Sequence, residues 1–158
     1  MYKRQGSGTI ALTNQLSGMT SASVPSGSVL QIVTSMFNTN VASASTSYVS
    51  SGHSVTITPK SSSSKILLSL QGGSPAQSTN RFLVTTFYKG ASQLDAGFVS
   101  KQGVNADNLV HPHSLHGEDT HGVTSAITYT VYFYAQNGNV QYCAPFSKQF
   151  LIATEIKG

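Results

Sequence analysis

Short runs of β-branched and aromatic residues, each cut off by Gly, Ser, Pro or Asn, recur along this chain, and no window holds a sustained 3.6-residue apolar period with caps. Such a chain is confined to short strands. The clearest is Ile127-Thr128-Tyr129-Thr130-Val131-Tyr132-Phe133-Tyr134, joined through Gln136-Asn137-Gly138-Asn139 to Val140-Gln141-Tyr142-Cys143. Asn-Gly readily takes the positive φ angles of a tight turn, so this pair predicts a hairpin. Ser54-Val55-Thr56-Ile57-Thr58 alternates with period two and sends Val55 and Ile57 to one face. Further strands are predicted at residues 29–33, 66–70 and 150–156. Residues 81–89 have Phe82, Val84 and Tyr88 on one face and Leu83 and Phe87 on the other, which predicts burial on both sides. The expected fold class is all-β, an antiparallel β-sandwich of jelly-roll type.

At 158 residues the chain supports one domain with one sizeable core. Only 9% of residues are charged, whereas Ser numbers 25, Thr 16 and Gly 14, so the surface must be polar through hydroxyls. Seven Tyr and seven Phe make the chain too aromatic to read as disordered. Residues 6–27 are poor in apolar side chains and end in the turn signal Pro25-Ser26-Gly27. The expected organisation is therefore an extended arm over residues 1–27 and a head over residues 28–158. Met1-Tyr2-Lys3-Arg4-Gln5 resembles a pentapeptide produced when adapter sequence is translated, so residues 1–5 are expected to be artefactual and the chain to be the C-terminal part of a longer protein.

The net charge of +4 includes Lys3 and Arg4, and the other basic residues are scattered singly. No basic stripe tracks a phosphate backbone, and nucleic-acid binding is not expected. No run reaches 18 apolar residues, so membrane insertion is not expected either. Cys143 is the lone cysteine, which excludes an internal disulfide framework and predicts a small buried hydrophobe.

His111-Pro112-His113-Ser114-Leu115-His116-Gly117-Glu118-Asp119-Thr120-His121 gathers four of the five histidines and two of the five acidic residues. Imidazoles and carboxylates ligate transition metals, and His111 and His113 would point to the same side of a strand. In a homotrimer such a pair on the threefold axis supplies six nitrogens, with His116, Glu118, Asp119 and His121 as neighbours. The alternative is a solvent-exposed loop whose histidines make only local hydrogen bonds.

Catalytic signatures are weak. No G-x-S-x-G elbow is present, and a Ser-His-Asp triad from so many serines is a compositional coincidence. Glu118 and Asp119 fall on opposite faces of a strand, whereas glycosidase carboxylates face one substrate. Phosphate-binding loops are absent from the sequence. The chain is not expected to be an enzyme.

Pro25-Ser26-Gly27-Ser28-Val29-Leu30-Gln31, Ser54-Val55-Thr56-Ile57-Thr58-Pro59 with its serine run and Lys65-Ile66-Leu67, Thr128-Tyr129-Thr130-Val131, and Ile152-Ala153-Thr154-Glu155-Ile156 together resemble fibre and tail-associated virion proteins of tailed bacteriophages. The resemblance implies a small trimerising jelly roll, similar to the heads of complement and tumour-necrosis-factor proteins. Gly8-Thr9-Ile10-Ala11-Leu12-Thr13-Asn14 resembles segments joining shaft to tip in such fibres. Residues 102–122 have no counterpart in the pattern. By this resemblance the chain is a virion structural protein, the C-terminal head of a tail fibre. It would act as a homotrimer attached to other virion proteins and bind a host-surface glycan or outer-membrane protein. Capsid decoration and, further off, polysaccharide depolymerisation are the competing functions.

Overall fold

The computed structural model describes residues 23–75, 81–95, 99–103, 110–143 and 147–158. Among these are eleven strands: β1 (Val29–Phe37), β2 (Val41–Ser43), β3 (Val49–Ile57), β4 (Lys65–Pro75), β5 (Phe82–Lys89), β6 (Ser92–Gln93), β7 (Val99–Gly103), β8 (Val110–Asp119), β9 (Ile127–Gln136), β10 (Val140–Tyr142) and β11 (Gln149–Ile156). The described chain contains no α-helix. It is all-β, and every strand pair is antiparallel.

Two sheets carry most of the structure. One runs β1-β11-β4-β8 and the other β3-β9-β5-β6, with β7 also on β5. The chain crosses between these sheets from β3 to β4, β4 to β5, β7 to β8 and β8 to β9, while β5, β6 and β7 stay in one sheet. Each strand turns one residue in two inward, and the inward rows meet in a single buried cluster. Ile66, Leu68, Leu70, Leu115 and Leu151 enter it from the first sheet, and Val55, Ile57, Phe87, Val131 and Phe133 from the second. β5 is buried at Leu83 through Phe87 without interruption, in line with its two-sided sequence pattern.

At the turn after β9, Asn137 and Gly138 take φ of 67° and 109°, as Asn-Gly predicts. The hairpin expected there does not form. β9 is already flanked by β3 and β5, so β10 leaves the sheet and pairs with β2 in a two-stranded ribbon.

Gly72 marks the tightest approach of β4 to β11. A Cβ there would lie 2.5 Å from the Lys148 carbonyl oxygen and 2.8 Å from Gln149 Cα, both backbone atoms that no rotamer change can move. Gly72→Ala is therefore expected to lower stability by about 2 kcal/mol, the scale of an overpacked site. A urea midpoint unchanged from wild type would refute this.

Most of the proposed arm lies outside the described residues. Its last part is tied to the opposite end of the chain: Gly27 N–H donates to the Lys157 carbonyl at 2.8 Å and Lys157 N–H to the Ser28 carbonyl at 2.9 Å. The Lys157 ammonium also donates to the Val24 carbonyl.

Candidate functional site

The histidine-rich stretch is a strand rather than a loop. β8 lies at the edge of the first sheet, and its alternation splits the expected ligand set between two faces. His113 and Asp119 are buried, whereas His116 and Glu118 are exposed. Glu118 pairs outward with Lys65 at 2.7 Å. His111 sits opposite Ser74 in the ladder, and its side chain lies outside the described residues. Among the described residues no three His, Cys, Asp or Glu side chains converge as metal ligands.

The buried members of the stretch bridge the two sheets instead. His113 Nε2 is 2.9 Å from Thr85 Oγ1 on β5. Burial pushes its pKa down to about 4, with a hydrogen bond to Gln149 opposing the shift only in part. The imidazole is thus neutral at neutral pH. For His113 to ligate a metal on a symmetry axis, it would first have to leave Thr85 and the interior. At the other end of β8, Asp119 Oδ2 accepts the Tyr129 hydroxyl at 2.6 Å and pairs with Lys89 at 2.8 Å, both from the second sheet. Burial and the adjoining carboxylate hold the Tyr129 phenol well above its ordinary range.

His121 follows the strand and is buried against Ser64, with Nε2 to Oγ at 3.1 Å. Its Nδ1 accepts the Val123 N–H, so the proton resides on Nε2 and is donated to the serine. A catalytic base needs the reverse, a bare Nε2 facing a serine that gives up its proton. Ser64 in turn donates to Glu155 Oε1 at 2.6 Å. Glu155 also accepts Lys60 N–H at 2.7 Å, Ser61 N–H at 3.2 Å and the Gln31 amide at 2.6 Å. Burial alone would raise its pKa, but these donors outweigh burial and hold the carboxyl below its usual range. The arrangement anchors the 58–64 connection and β1 to β11.

Sequence reasoning passed over His53, which like His113 is withdrawn from solvent. It is 1% exposed and stacks on Phe37 at 5.0 Å between ring centroids. Its Nε2 lies 3.2 Å from the Ser35 carbonyl, which can only accept, so Nε2 carries the proton and Nδ1 accepts the Tyr142 hydroxyl at 2.7 Å. Burial lowers its pKa, against the opposing pull of the Ser35 bond. A lone histidine in a serine-rich run gives no sign of this in the sequence. Cys143 is fully buried beside this group, and burial raises its thiol pKa.

The outward faces of the two sheets differ. On the first sheet Val29, Ile32, Met36, Leu67 and Phe150 are exposed, Ile32 to 60% and Met36 to 54%, with the Lys65–Glu118 pair beside Leu67 in the β4–β8 ladder. On the second, four tyrosines gather. Tyr88 on β5 stacks on Tyr132 of β9 at 3.9 Å, while Tyr48 lies edge-on to Tyr134 at 4.9 Å and to Tyr88 at 6.0 Å. All four rings are half-buried. The alternation of Tyr132 and Tyr134 with Val131 and Phe133 was legible in the sequence; Tyr48 and Tyr88 joined them only through the sheet order. No protein-family model and no curated protein matches the chain.

Proposed function

We propose that this chain is the jelly-roll head of a virion fibre, a homotrimeric structural protein without catalysis that presents its outer surface to a receptor on the host cell. The observation that carries the reading is the apolar outward face of the first sheet. Residues Val29, Ile32, Met36 and Phe150 stand exposed together on adjoining strands, and β1 contains neither charge nor proline to discourage association. A second copy of this sparsely charged chain is the occupant best suited to cover it, and closed rotational symmetry makes the covering finite. The strand orders β1-β11-β4-β8 and β3-β9-β5 suit a jelly roll, in which the chain crosses repeatedly between two antiparallel sheets. The inverted polarity of the Ser64–His121 pair supports a binding role over hydrolysis.

Sedimentation equilibrium of the full chain at micromolar concentration is expected to give roughly three times the 16.6 kDa subunit mass. An Ile32→Lys, Phe150→Lys double variant, changed only at exposed positions, should dissociate to monomer with its circular dichroism retained. A wild-type monomer under these conditions would refute the proposal.

A further inference from the structure

We infer that the tyrosine face of the second sheet is a binding site for neutral glycans. The inference gives the fibre-head reading its ligand class and rests on that reading for orientation. If the trimer closes over the apolar face of the first sheet, the opposite face looks outward. Tyr48, Tyr88, Tyr132 and Tyr134 then form a half-exposed aromatic platform, locked by mutual stacking and edge contacts before any ligand arrives. Rigid rings with few rotatable bonds lose little entropy on binding. Beside them on the same face, β3 and β9 present Ser50, Ser54, Thr56, Thr128 and Thr130, with Thr56 and Thr128 hydroxyls 2.8 Å apart.

A pyranose ring has the complementary make-up. Its axial C–H groups form an apolar patch that fits an aromatic ring, and its equatorial hydroxyls exchange hydrogen bonds with phenols and Ser/Thr hydroxyls. The rows of β3 and β9 named here carry no charge, and Lys101, on the same face of β7 opposite Val84, holds its ammonium over the Phe82 ring, 4.3 Å from the centroid. An acidic glycan or a phosphate seated over β3 and β9 would be stripped of water without an ion pair from those strands to replace it, and that cost favours neutral sugars. Protein interfaces are also rich in tyrosine but depleted in serine, so the hydroxyl rows beside the platform favour a sugar over a protein partner.

The test uses the full wild-type chain on an array of neutral hexose and N-acetylhexosamine oligosaccharides, with sialylated and phosphorylated glycans as the acidic arm. Binding to at least one neutral glycan is expected, followed by titration calorimetry in solution with that glycan. Tyr88→Ser and Tyr134→Ser should each weaken it at least tenfold, while Tyr88→Phe and Tyr134→Phe, which keep the ring, should stay within a few-fold. Melting curves for every variant separate lost binding from lost fold, and if a Ser variant does not fold, Tyr88→Leu and Tyr134→Leu, which keep apolar bulk without an aromatic face, decide the matter by the same tenfold loss. Binding confined to acidic glycans, no binding to any glycan, or affinity unchanged in folded Ser variants would overturn the inference. Sedimentation of the same wild-type sample distinguishes the two readings: tyrosine-dependent binding by a monomer leaves the glycan site standing and removes the trimer.

Discussion

Lowering the pH from 7.5 to 4.5 is expected to cost the protein roughly 2 to 3 kcal/mol of stability through His113 alone. In the unfolded chain this histidine titrates near 6.5, and in the fold its pKa is held at about 4 by burial. Between those values the unfolded state binds a proton that the native state refuses, so acid favours unfolding. The contribution is complete above about pH 6.5 and is lost as pH falls toward 4, a tenfold difference in proton affinity between the two states being worth about 1.4 kcal/mol. His53 shifts in the same direction and adds to the slope. Urea titrations at fixed protein concentration across this range test the expectation. His113→Gln, which can still reach Thr85 but does not titrate, should flatten the curve by the stated amount. An unchanged slope in that variant would show that His113 is not the group responsible.

Glu155→Ala is expected to destabilise the head by roughly 3 kcal/mol, the scale of a buried charged acceptor removed from its donors. Four groups from two separate segments converge on this carboxylate, and its loss leaves the Lys60 and Ser61 amides, Ser64 and Gln31 to find other partners. Glu155→Gln keeps one acceptor oxygen but sets an NH2 group against donors, so it should fall between wild type and alanine. Because the folded carboxyl is held below its ordinary value of 4.5, its contribution is present above that value and is lost as pH falls through the lower folded pKa. Acid thus acts in two steps, histidine first and carboxylate second. If the alanine variant melted with wild type, the network would be ornamental.

Strands with an apolar inward row were legible in the sequence. Residues 54–58, 66–70, 127–134 and 150–156 fall on β3, β4, β9 and β11, to within a residue at the end of β3, because their alternation is written in Val, Ile, Leu and aromatics. β8 was hidden for the opposite reason. Of its inward positions His113, Leu115, Gly117 and Asp119, Leu115 is the one large apolar residue, so hydropathy shows no period of two there. Its polar members are made compatible with burial by Thr85, Tyr129 and Lys89, which lie on β5 and β9 and are invisible from the strand's own sequence. The Asn137-Gly138 turn was equally local and correctly read, but where β10 went after it depended on β9 already having both edges filled. Tyr132 and Tyr134 could be singled out as a row; the partners that make a platform, Tyr48 and Tyr88, come from distant parts of the chain.

The cross-sheet bonds bear on alignment as well as on energy. Apolar surfaces are non-directional, so two greasy faces can slide or rotate over one another at little cost. Hydrogen bonds tolerate no such movement, and three sets join the layers at separate points: His53 to the Ser35 carbonyl, His113 to Thr85, and Asp119 to Tyr129 and Lys89. Three fixed points define a rigid placement, as three feet locate a stage on an optical bench. Our hypothesis is that replacing these groups by apolar residues of similar volume would leave a compact protein that has lost its single register between layers, a role for buried polar groups attested in some systems. Broadened amide resonances in a His53→Leu, His113→Leu, Asp119→Val, Tyr129→Phe variant of near-normal melting temperature would reveal that loss, and sharp, fully dispersed spectra would show that shape alone aligns the sheets.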